Sequence, residues 1–441
     1  MPSPLFLSVR VPTLLAMFWR RHINRQSIPA SAHRESPSYI VFRLDALGDV
    51  VLTTPLFRAL KNAHPKSRLT VVVQRSYKTL LATNPYIDEI LTPPKIQPRW
   101  LPKQLQRLTA AVLLYWRDLR GRRFDFAVSP RWDVDEHLAT FLCALTNATH
   151  RAGFTCATTD AKRKINRGFD LTYDICLPPG PICHEGDRNL AVAEWLGAAA
   201  LDGAIEIRLT DRDRRGAAKL LANVRAGTTL IALGIGAQSP GRRWPLQRFA
   251  DTVNQIGKGR QVQAVIVCSD SEIAGASQLS ALLQVTPIVV AGAMLREVCA
   301  VLECCDIFIG NDSGCAHLAA AVGCSTIVVS RHPSDGDPNH YNSPVRFAPY
   351  ANNARVLQPA TGRDECRWAC IEPGPHCILN VSINDVASAA MQMLAAQPKA
   401  TVTQPGSRMP LLPGRLLQTH SADAVQRAVE ALRADASRPS L

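Results

Sequence analysis

The sequence predicts an α/β fold with two doubly wound domains in succession, and three observations support this. Short apolar, β-branched segments alternate with amphipathic segments along most of the 441 residues, a pattern typical of parallel sheets covered by helices. The alternation occurs in two series, separated by a polar, arginine-rich stretch over 199–227. The composition is 46% hydrophobic and 20% charged, which suits a globular chain with two domains of ordinary size.

The first series begins at residue 38. Predicted strands cover 38–44, 69–74 and 124–130, because these segments are apolar and rich in β-branched residues. A loop and a helix follow the first strand, and further helices are predicted near 77–83 and over 137–148.

The second series gives the clearer pattern. Its strands are predicted at 228–236, 262–268, 286–292, 306–310 and 325–330. Its helices are predicted at 244–257, 272–283, 294–305 and 383–397, with one more that runs from the GNDSG turn to about 322. The tail is rich in Pro and Gly and contains one short predicted helix, 421–434. We therefore expect an extension over 1–37, a first domain over 38–210, a second over 228–396 and a tail over 398–441.

The formal net charge is +14 and is concentrated in the N-terminal half. Residues 95–131 carry nine Lys or Arg against two Asp, a local charge of +7. This distribution favours an anionic partner, such as a phosphate-bearing substrate or an anionic membrane surface. Nucleic acid is disfavoured because the sequence has no zinc finger, RNP-type motif or basic helix with dimer heptads.

The N-terminal extension contains no run of apolar residues long enough to span a membrane. From Pro12, however, leucines and aromatic residues cluster and several arginines follow. This segment is predicted either to lie on an anionic leaflet or to be an unstructured or tucked-in extension. The 13 cysteines are odd in number and scattered, which indicates a reducing compartment.

The segment GNDSGCAHL (310–318) follows an apolar strand and opens a predicted helix. Asp312 or Ser313 is placed to cap that helix, and Gly314 allows close approach of a ligand. The unpaired N–H groups and dipole of a helix start favour an anion such as a diphosphate. His317 lies four residues after Ser313 and therefore on the same helix face. The alternative is a capped helix with a buried histidine.

The loop GAQSPGRRWPLQRF (236–249) also lies between a predicted strand and a helix. Small residues allow the backbone to approach a ligand, and a hydroxyl and two guanidinium groups suit phosphate oxygens. The alternative is a solvated loop. The candidate ligand-binding residues of this loop are Gly236, Ala237, Ser239, Arg242 and Arg243.

The segment LDALGDVVLTTP (44–55) ends the first predicted strand. Gly48 permits a tight turn, and Asp49 is predicted at the start of a helix, where the dipole stabilises a carboxylate. Such a group suits a general base, although a helix-capping role is the alternative. The sequence lacks GxGxxG, which disfavours an ordinary dinucleotide fold.

Together these segments resemble glycosyltransferase family 9, the ADP-heptose:lipopolysaccharide heptosyltransferases. The resemblance covers about residues 38–396 and implies a GT-B fold, in which two Rossmann-like domains flank an interdomain cleft. It also implies an inverting, metal-independent transfer from a nucleotide-activated sugar, without a cofactor. The matching segments are RLDALGDVVLTTPLFRALK, GAQSPGRRWPLQRFA and GNDSGCAHLAAAVG, with weaker matches at HEGDRNLAVAEWLG (184–197) and CSDSE (268–272).

The resemblance also implies roles for individual residues. Asp49 falls at the position of the catalytic base, and Arg242 falls where the family usually has a lysine that contacts the diphosphate. Glu272 matches an acidic residue near the ribose. The residues that match the family motif at the pyrophosphate and sugar are Asp312, Ser313, Gly314 and His317.

The acceptor is expected against the first domain, with Gly48 beside it. Basic residues there suit a phosphorylated, membrane-held glycolipid, with Arg120, Arg122 and Arg123 as the main candidates. We therefore predict an enzyme on the cytoplasmic face of the inner membrane that builds a bacterial surface glycan. Alternatives are a catalytically inactive nucleotide-sugar-binding protein of the same fold and an NAD-dependent oxidoreductase.

The segment CRWACIEPGPHC (366–377) carries several metal-ligating residue types. Cys366, Cys370, His376 and Cys377 are candidate zinc ligands, but their spacing differs from that of ordinary zinc sites. A packed loop of reduced thiols is the preferred interpretation, and no metal is predicted.

Overall fold

The computed structural model describes residues 36–96, 100–199, 203–363 and 374–396, together with Thr13 and Leu15. The predicted tail helix over 421–434 lies outside the described residues, as does nearly all of the predicted N-terminal amphipathic segment. The described residues divide into two compact units. The first comprises 36–181 and 186–203, and the second comprises 182–185 and 204–396, apart from the gaps above.

The first unit is built on a six-stranded parallel sheet with the order β3-β2-β1-β4-β5-β6. Its strands are β1 (Ser38–Arg43), β2 (Arg68–Val73), β3 (Glu89–Leu91), β4 (Arg123–Ser129), β5 (Asn147–Phe154) and β6 (Ile175–Leu177). Its helices are α1 (Leu47–Leu52), α2 (Thr54–Ala63), α3 (Lys78–Leu81), α4 (Lys103–Leu114), α5 (Ala139–Leu145), α6 (Asp160–Ile165) and α7 (Glu185–Trp195), whose first residue, Glu185, belongs to the second unit.

Both faces of this sheet are buried, as is usual for parallel sheets. On β1, Tyr39 and Val41 pack into one hydrophobic cluster, while Ile40 and Phe42 pack into another. This alternation follows from the two-residue period of a strand. It also explains why β1 reads as a continuous apolar run.

The second unit repeats the topology, with the order β12-β11-β10-β7-β8-β9 and every pair parallel. Its strands are β7 (Thr229–Gly234), β8 (Val262–Cys268), β9 (Ile288–Ala291), β10 (Ile307–Asn311), β11 (Ser325–Val329) and β12 (Ala354–Leu357). Its helices are α8 (Asp211–Leu220), α9 (Leu246–Gly257), α10 (Ile273–Leu282), α11 (Leu295–Cys304), α12 (Gly314–Ala321), α13 (Pro344–Phe347) and α14 (Ile383–Ala396).

The strand order fixes where a ligand is expected in each unit. The order reverses between β1 and β4 in the first sheet, and between β7 and β10 in the second. Loops at the carboxyl ends of these strand pairs diverge to opposite sides and leave a crevice, which is the usual ligand position in such sheets. The predicted α/β class with two Rossmann-like sheets is thus confirmed.

Several elements differ from the sequence prediction. The helix predicted over 137–148 is only Ala139–Leu145, because Thr146 is extended and Asn147 begins β5. Four strands were not predicted, namely β3, β5, β6 and β12. Three of these are sheet edges of three or four residues, and β5 interrupts its apolar residues with Asn147, His150 and Arg151. Neither case gives a strong periodic signal.

Candidate active site

Asp49 lies in the first turn of α1, directly beyond the carboxyl end of β1. Its Oδ1 atom accepts hydrogen bonds at 3.4 Å from the guanidinium groups of both Arg43 and Arg131. The side chain is 11% exposed, so its negative charge is partly desolvated and compensated by two cations. Arg131 follows β4, and the contact therefore lies where the strand order of the first sheet reverses.

A second carboxylate, Asp45, shares the same two arginines. Its Oδ2 lies 3.3 Å from Arg43 Nη1, and its Oδ1 lies 3.4 Å from Arg131 Nε. Asp45 is almost fully buried, whereas Asp49 is more accessible. The four groups form an alternating charge cluster that fixes the orientation of Asp49. Sequence reasoning did not select Asp45, Arg43 or Arg131, although each is a charged residue at the end of an apolar strand.

Gln74 and Tyr77, which follow β2, also lie at this carboxyl edge of the first sheet. Gln74 donates through Nε2 to the carbonyl oxygens of Leu44 at 2.7 Å and Asp45 at 3.1 Å, which fixes the loop before α1. Burial, and next the charge of Asp49, raise the pKa of the Tyr77 phenol. Tyr77 therefore remains a neutral hydroxyl donor beside the carboxylate.

A buried lysine, Lys162, fixes the loop that carries Arg131. Lys162 Nζ donates to the carbonyl oxygens of Arg131 at 2.8 Å, Trp132 at 3.0 Å and Phe154 at 3.3 Å. Burial lowers the pKa of Lys162 to about 8. With three carbonyl acceptors, the ammonium group serves to fix this loop.

In the second unit, the loops after β7 and β10 meet through one ion pair. Arg242 Nη2 donates to Oδ2 of Asp312 at 2.6 Å and to the carbonyl oxygen of the same residue at 2.8 Å. Both side chains are mostly buried. The pair lies at the reversal of strand order in the second sheet, so the structure brings together two segments predicted separately as ligand-binding.

Asn311, the last residue of β10, ties down both ends of the Gly236–Arg243 loop. Its Oδ1 accepts from Trp244 N at 2.8 Å, and its Nδ2 donates to Ile235 O at 2.7 Å. Trp244 is itself buried and donates through Nε1 to Val381 O. The loop is therefore rigid at its base while its middle, which contains Arg242, faces Asp312. Sequence reasoning missed Asn311 because its role depends on these long-range contacts.

The start of α12 has the conformation of an open anion site. Ser313 is the N-cap residue with extended backbone angles, but its side chain makes no capping hydrogen bond. Of the two predicted capping residues, Ser313 occupies the N-cap position without a side-chain hydrogen bond, while the carboxylate of Asp312 binds Arg242. Ala316 N donates to the carbonyl oxygen of Ser313 at 3.1 Å, so the groups that suit a ligand are the Ser313 hydroxyl and the N–H groups of the first two helical residues, Gly314 and Cys315. His317 is buried on this helix.

Glu272 lies against Gly236, so two residues predicted separately as donor-binding are neighbours in the second unit. An ideal Cβ at Gly236 would be 2.0 Å from Glu272 Oε1, so only glycine fits this position without displacing the acid. The other oxygen, Oε2, accepts from Ser269 N at 2.8 Å and from Ser269 Oγ at 2.9 Å. Glu272 is thereby fixed beside the start of the predicted donor loop.

The other residues of this loop are placed less centrally. Ser239 precedes a 3₁₀ turn over Pro240–Arg242 and accepts from Arg242 N through its carbonyl oxygen at 3.1 Å. Arg243 is exposed and donates to the carbonyl oxygen of Ala237 at 3.2 Å. The structure therefore separates the two adjacent arginines, since Arg242 turns to Asp312 and Arg243 folds back on its own loop.

Two histidines after β11 adjoin this edge and were not selected from the sequence. The rings of His332 and His340 stack with centroids 5.3 Å apart. They line a small cavity together with Gly241 and Arg331. Burial, and next the neighbouring charges, lower the pKa of His340 to about 4. Its Nδ1 accepts from Asn342 N at 3.1 Å, which fits a neutral ring with the proton on Nε2.

The structure does not bring Arg120, Arg122 and Arg123 together with Asp49. They precede or begin β4 and so lie at the amino edge of the sheet, whereas Asp49 lies beyond its carboxyl edge. A seven-residue strand separates these edges by about 20 Å. Arg122 is paired with Glu89. The expected acceptor role of these three arginines is thus not supported at the edge that carries Asp49, whereas Gly48 does lie there beside Asp49.

The candidate zinc ligands divide between described and undescribed residues. Cys366 and Cys370 lie outside the described residues, while His376 Nδ1 is 3.1 Å from Cys377 Sγ. Among the described residues, no three His, Cys, Asp or Glu side chains converge as a metal site would require. Likewise, within the described ranges no helix has the length and apolar character needed to cross a membrane.

Comparison with known proteins identifies the family. Residues 113–371, more than half of the chain, match the model for glycosyltransferase family 9 (heptosyltransferase). The chain belongs to glycosyltransferase family 9. Family 9 members are glycosyltransferases, and this chain is accordingly an enzyme of that class.

Relatives within family 9 match over most of their length. A lipopolysaccharide core heptosyltransferase of Haemophilus influenzae is 23% identical over 366 residues, which cover 80% of this chain and 96% of that protein. Lipopolysaccharide heptosyltransferase 2 of Salmonella typhimurium is 25% identical over 350 residues, covering 75% of this chain and 90% of the relative.

Solved structures of family 9 confirm the GT-B fold. A family 9 glycosyltransferase from Veillonella parvula superposes with a TM-score of 0.65 at 20% identity, covering 83% of this chain and 99% of that one. Heptosyltransferase II of Escherichia coli gives a TM-score of 0.58 at 16% identity, with coverages of 81% and 98%. The topology of both units is thus that of known family 9 enzymes.

Proposed function

We propose that this enzyme transfers a heptose-type sugar from a nucleotide diphosphate sugar to a lipopolysaccharide-core or related glycolipid acceptor. The relatives are named as lipopolysaccharide heptosyltransferases, and an E. coli heptosyltransferase of the same fold was solved with ADP and with an ADP-heptose analogue. ADP-heptose is therefore the proposed donor. The observation that carries the proposal is Asp49, held between two guanidinium groups at the reversal of strand order in the first sheet.

Asp49 is proposed as the general base. Within the described part of the chain, both side-chain hydrogen bonds to Asp49 go to Oδ1, which leaves Oδ2 to accept a proton. The acceptor hydroxyl gives its proton to Asp49 while its oxygen bonds to the anomeric carbon. The bond from that carbon to the diphosphate breaks, and its electron pair leaves with the phosphate. Attack from the face opposite the leaving group inverts the anomeric centre.

The second unit is proposed to stabilise the departing diphosphate. Arg242 supplies a cation, and the start of α12 supplies N–H groups and the positive end of its dipole. Such preorganised charge acts most strongly on the negative charge that develops during bond cleavage. These groups perform the neutralisation that a divalent cation provides in other transferases, which supports a metal-independent reaction.

A second group of residues is proposed to orient the donor. Glu272, fixed against Gly236, is proposed to bind the ribose hydroxyls, and the hydroxyl of Ser313 is proposed to bind a phosphate oxygen. His317, one turn into α12, is proposed at the sugar. The assignments combine the family resemblance with the convergence of these residues at one edge of the second sheet.

The test is a transfer assay with nucleotide sugars that differ in base and sugar, and with lipopolysaccharide-core acceptors. We expect mass spectrometry to show the acceptor gaining one heptose with ADP-heptose, also in the presence of EDTA. NMR of the product should show the inverted anomer. Donor binding without any product, in every acceptor tried, would indicate a binding protein instead. Retained configuration, or loss of activity in EDTA that a divalent cation restores, would contradict the mechanism.

A further inference from the structure

Helix α4 of the first unit exposes an unusual amount of apolar surface. Four large apolar side chains within residues 100–116 are exposed, including Trp100 at 83% and Trp116 at 55%. Single exposed apolar residues are common on soluble proteins, but four large ones within 17 residues of one helix and its flanks indicate an interaction surface. We call this group, Trp100, Leu105, Leu113 and Trp116, the α4 apolar face.

The face arises from the geometry of the helix. Leu105, Thr109 and Leu113 are spaced by four residues and share one side of α4, and all three are exposed. Trp116 extends this side into the π-helical turn Tyr115–Leu119. The opposite side packs on the sheet through buried residues including Leu114. Because α4 already buries one side in the core, its outward leucines are left 44% exposed, and Trp116, which contacts the ring of Tyr115, is left 55% exposed.

Cations surround the α4 apolar face. Lys103, Arg120 and Arg123 are exposed in the same segment, as is Arg117, whose charge is partly compensated by an ion pair with Asp118. Arg120 Cζ lies 4.2 Å from the centroid of the Trp116 ring, so a positive charge rests on the exposed aromatic surface. Over 95–131 the sequence carries +7, a count that includes Arg122, which pairs with Glu89, and Arg131, which pairs with Asp49. Arg120, which does not reach the edge that carries Asp49, belongs to this surface through its contact with Trp116.

The face also extends toward the catalytic edge. Helix α4 connects the carboxyl end of β3 to the amino end of β4, and its 12 residues span about 18 Å. Near the start of α4, Arg107 donates through Nη1 to the carbonyl oxygen of Glu136, which lies in the loop after β4. The first turns of α4, with Trp100 and Leu105, therefore lie toward the edge of the sheet that carries Asp49.

We propose that the α4 apolar face docks the first unit onto an anionic lipid bilayer. Tryptophan is favoured at the boundary between headgroups and acyl chains, and a rim of Lys and Arg is attracted by anionic lipid. A protein partner would need an acidic rim matched to each cation, whereas an anionic bilayer satisfies all of them in any register. Docking goes beyond the proposed transfer reaction, because the face contains no residue of the catalytic edge.

The test is co-sedimentation of the full chain with phosphatidylcholine vesicles, with and without phosphatidylglycerol. We expect binding only to the anionic vesicles, and a drop of at least tenfold in the bound-to-free ratio for Trp100→Ser/Trp116→Ser. Lys103→Glu/Arg120→Glu should weaken binding similarly. The matched control is Leu171→Ser, because Leu171 is 60% exposed on another surface of the same unit, and it should bind like the parent protein.

Thermal melting shows whether each variant is folded, and transfer to a soluble acceptor fragment separates docking from catalysis. We expect the tryptophan variant to melt like the parent and to retain transfer to the soluble fragment. Unchanged vesicle binding of this folded variant would overturn the proposal and assign membrane contact to another segment. Dimerisation without vesicles that the tryptophan substitutions abolish would instead show that the face binds a second copy of the chain.

Discussion

The Arg242–Asp312 pair should act as a coupled unit, and removing either partner alone should cost stability. Arg242 donates one hydrogen bond to the carboxylate of Asp312 at 2.6 Å and a second to the carbonyl oxygen of Asp312 at 2.8 Å. A hydrogen bond to a charged group contributes about 1.5–3 kcal/mol, and partial exposure of both side chains favours the lower end. We therefore expect Arg242→Ala to lower the free energy of unfolding by about 2 kcal/mol.

The assay is a double-mutant cycle by calorimetry. For a unit of this size, 2 kcal/mol corresponds to a fall in Tm of about 4–8 °C. Asp312→Asn removes the charge but keeps the carbonyl oxygen and a side-chain acceptor, so it should reduce the loss caused by Arg242→Ala with a coupling energy of about 1 kcal/mol. Arg243→Ala is the control, since Arg243 is exposed and contacts only its own loop, and it should change stability by less than about 0.5 kcal/mol.

One result would refute the proposed role of the Arg242–Asp312 ion pair in stability and in donor binding. If the losses from Arg242→Ala and Asp312→Asn add to within about 0.5 kcal/mol, the two groups are independent. The loops after β7 and β10 would then meet without mutual support. The placement of the diphosphate between Arg242 and the start of α12 would lose its basis.

Three further predictions follow from the second unit. Gly236→Ala should displace Glu272 and raise the donor Kd about tenfold in calorimetric titration, whereas Gly259→Ala, with open space around it, should not. Asn311→Ala should lower the free energy of unfolding by about 2–4 kcal/mol in denaturant titration, because two buried backbone groups lose their partners. The folded-state pKa of His340 is about 4, below its usual 6.5. The contribution of His340 to stability should therefore fall as pH drops from 6.5 towards 4, by at most about 1.4 kcal/mol per pH unit. His340→Gln should reduce the pH dependence without abolishing it, because burial also lowers the pKa of the neighbouring His332. Unchanged values in any of these measurements would contradict the corresponding contact.

The central strands could be predicted from the sequence because burial on both faces gives them continuous apolar runs. β1, β7, β8, β10 and β11 are such strands. β5 escaped prediction because Arg151 and His150 interrupt its apolar residues. Arg151 is tolerated in the interior through hydrogen bonds to the carbonyl oxygens of Cys143 and Thr146 and through an ion pair with Asp174. Such compensation depends on tertiary structure and leaves no local signal.

The candidate site was predictable where function follows from local geometry. Asp49 at the start of a helix, and Gly314 at the start of another, are features of single strand–loop–helix units. Arg131 and Asn311 escaped prediction because each acts across the reversal of strand order, on a segment remote in sequence. Arg120 lies before the amino end of β4, whereas Asp49 lies at the carboxyl edge of the same sheet. This follows from the direction of the strand, and the charge count used in the sequence prediction contains no information on strand direction.

The most direct test of the proposed mechanism is the single-turnover rate of Asp49→Asn with saturating donor and acceptor. The amide keeps the size of the side chain but cannot accept the proton, so we expect the rate to fall by about 10²–10⁴. The affinity for the nucleoside diphosphate should stay within about twofold, because its proposed ligands belong to the second unit. Asp160→Asn, an exposed substitution in the same unit, should have the parent rate. A rate for Asp49→Asn within a few-fold of the parent enzyme would contradict the assignment of Asp49 as the base.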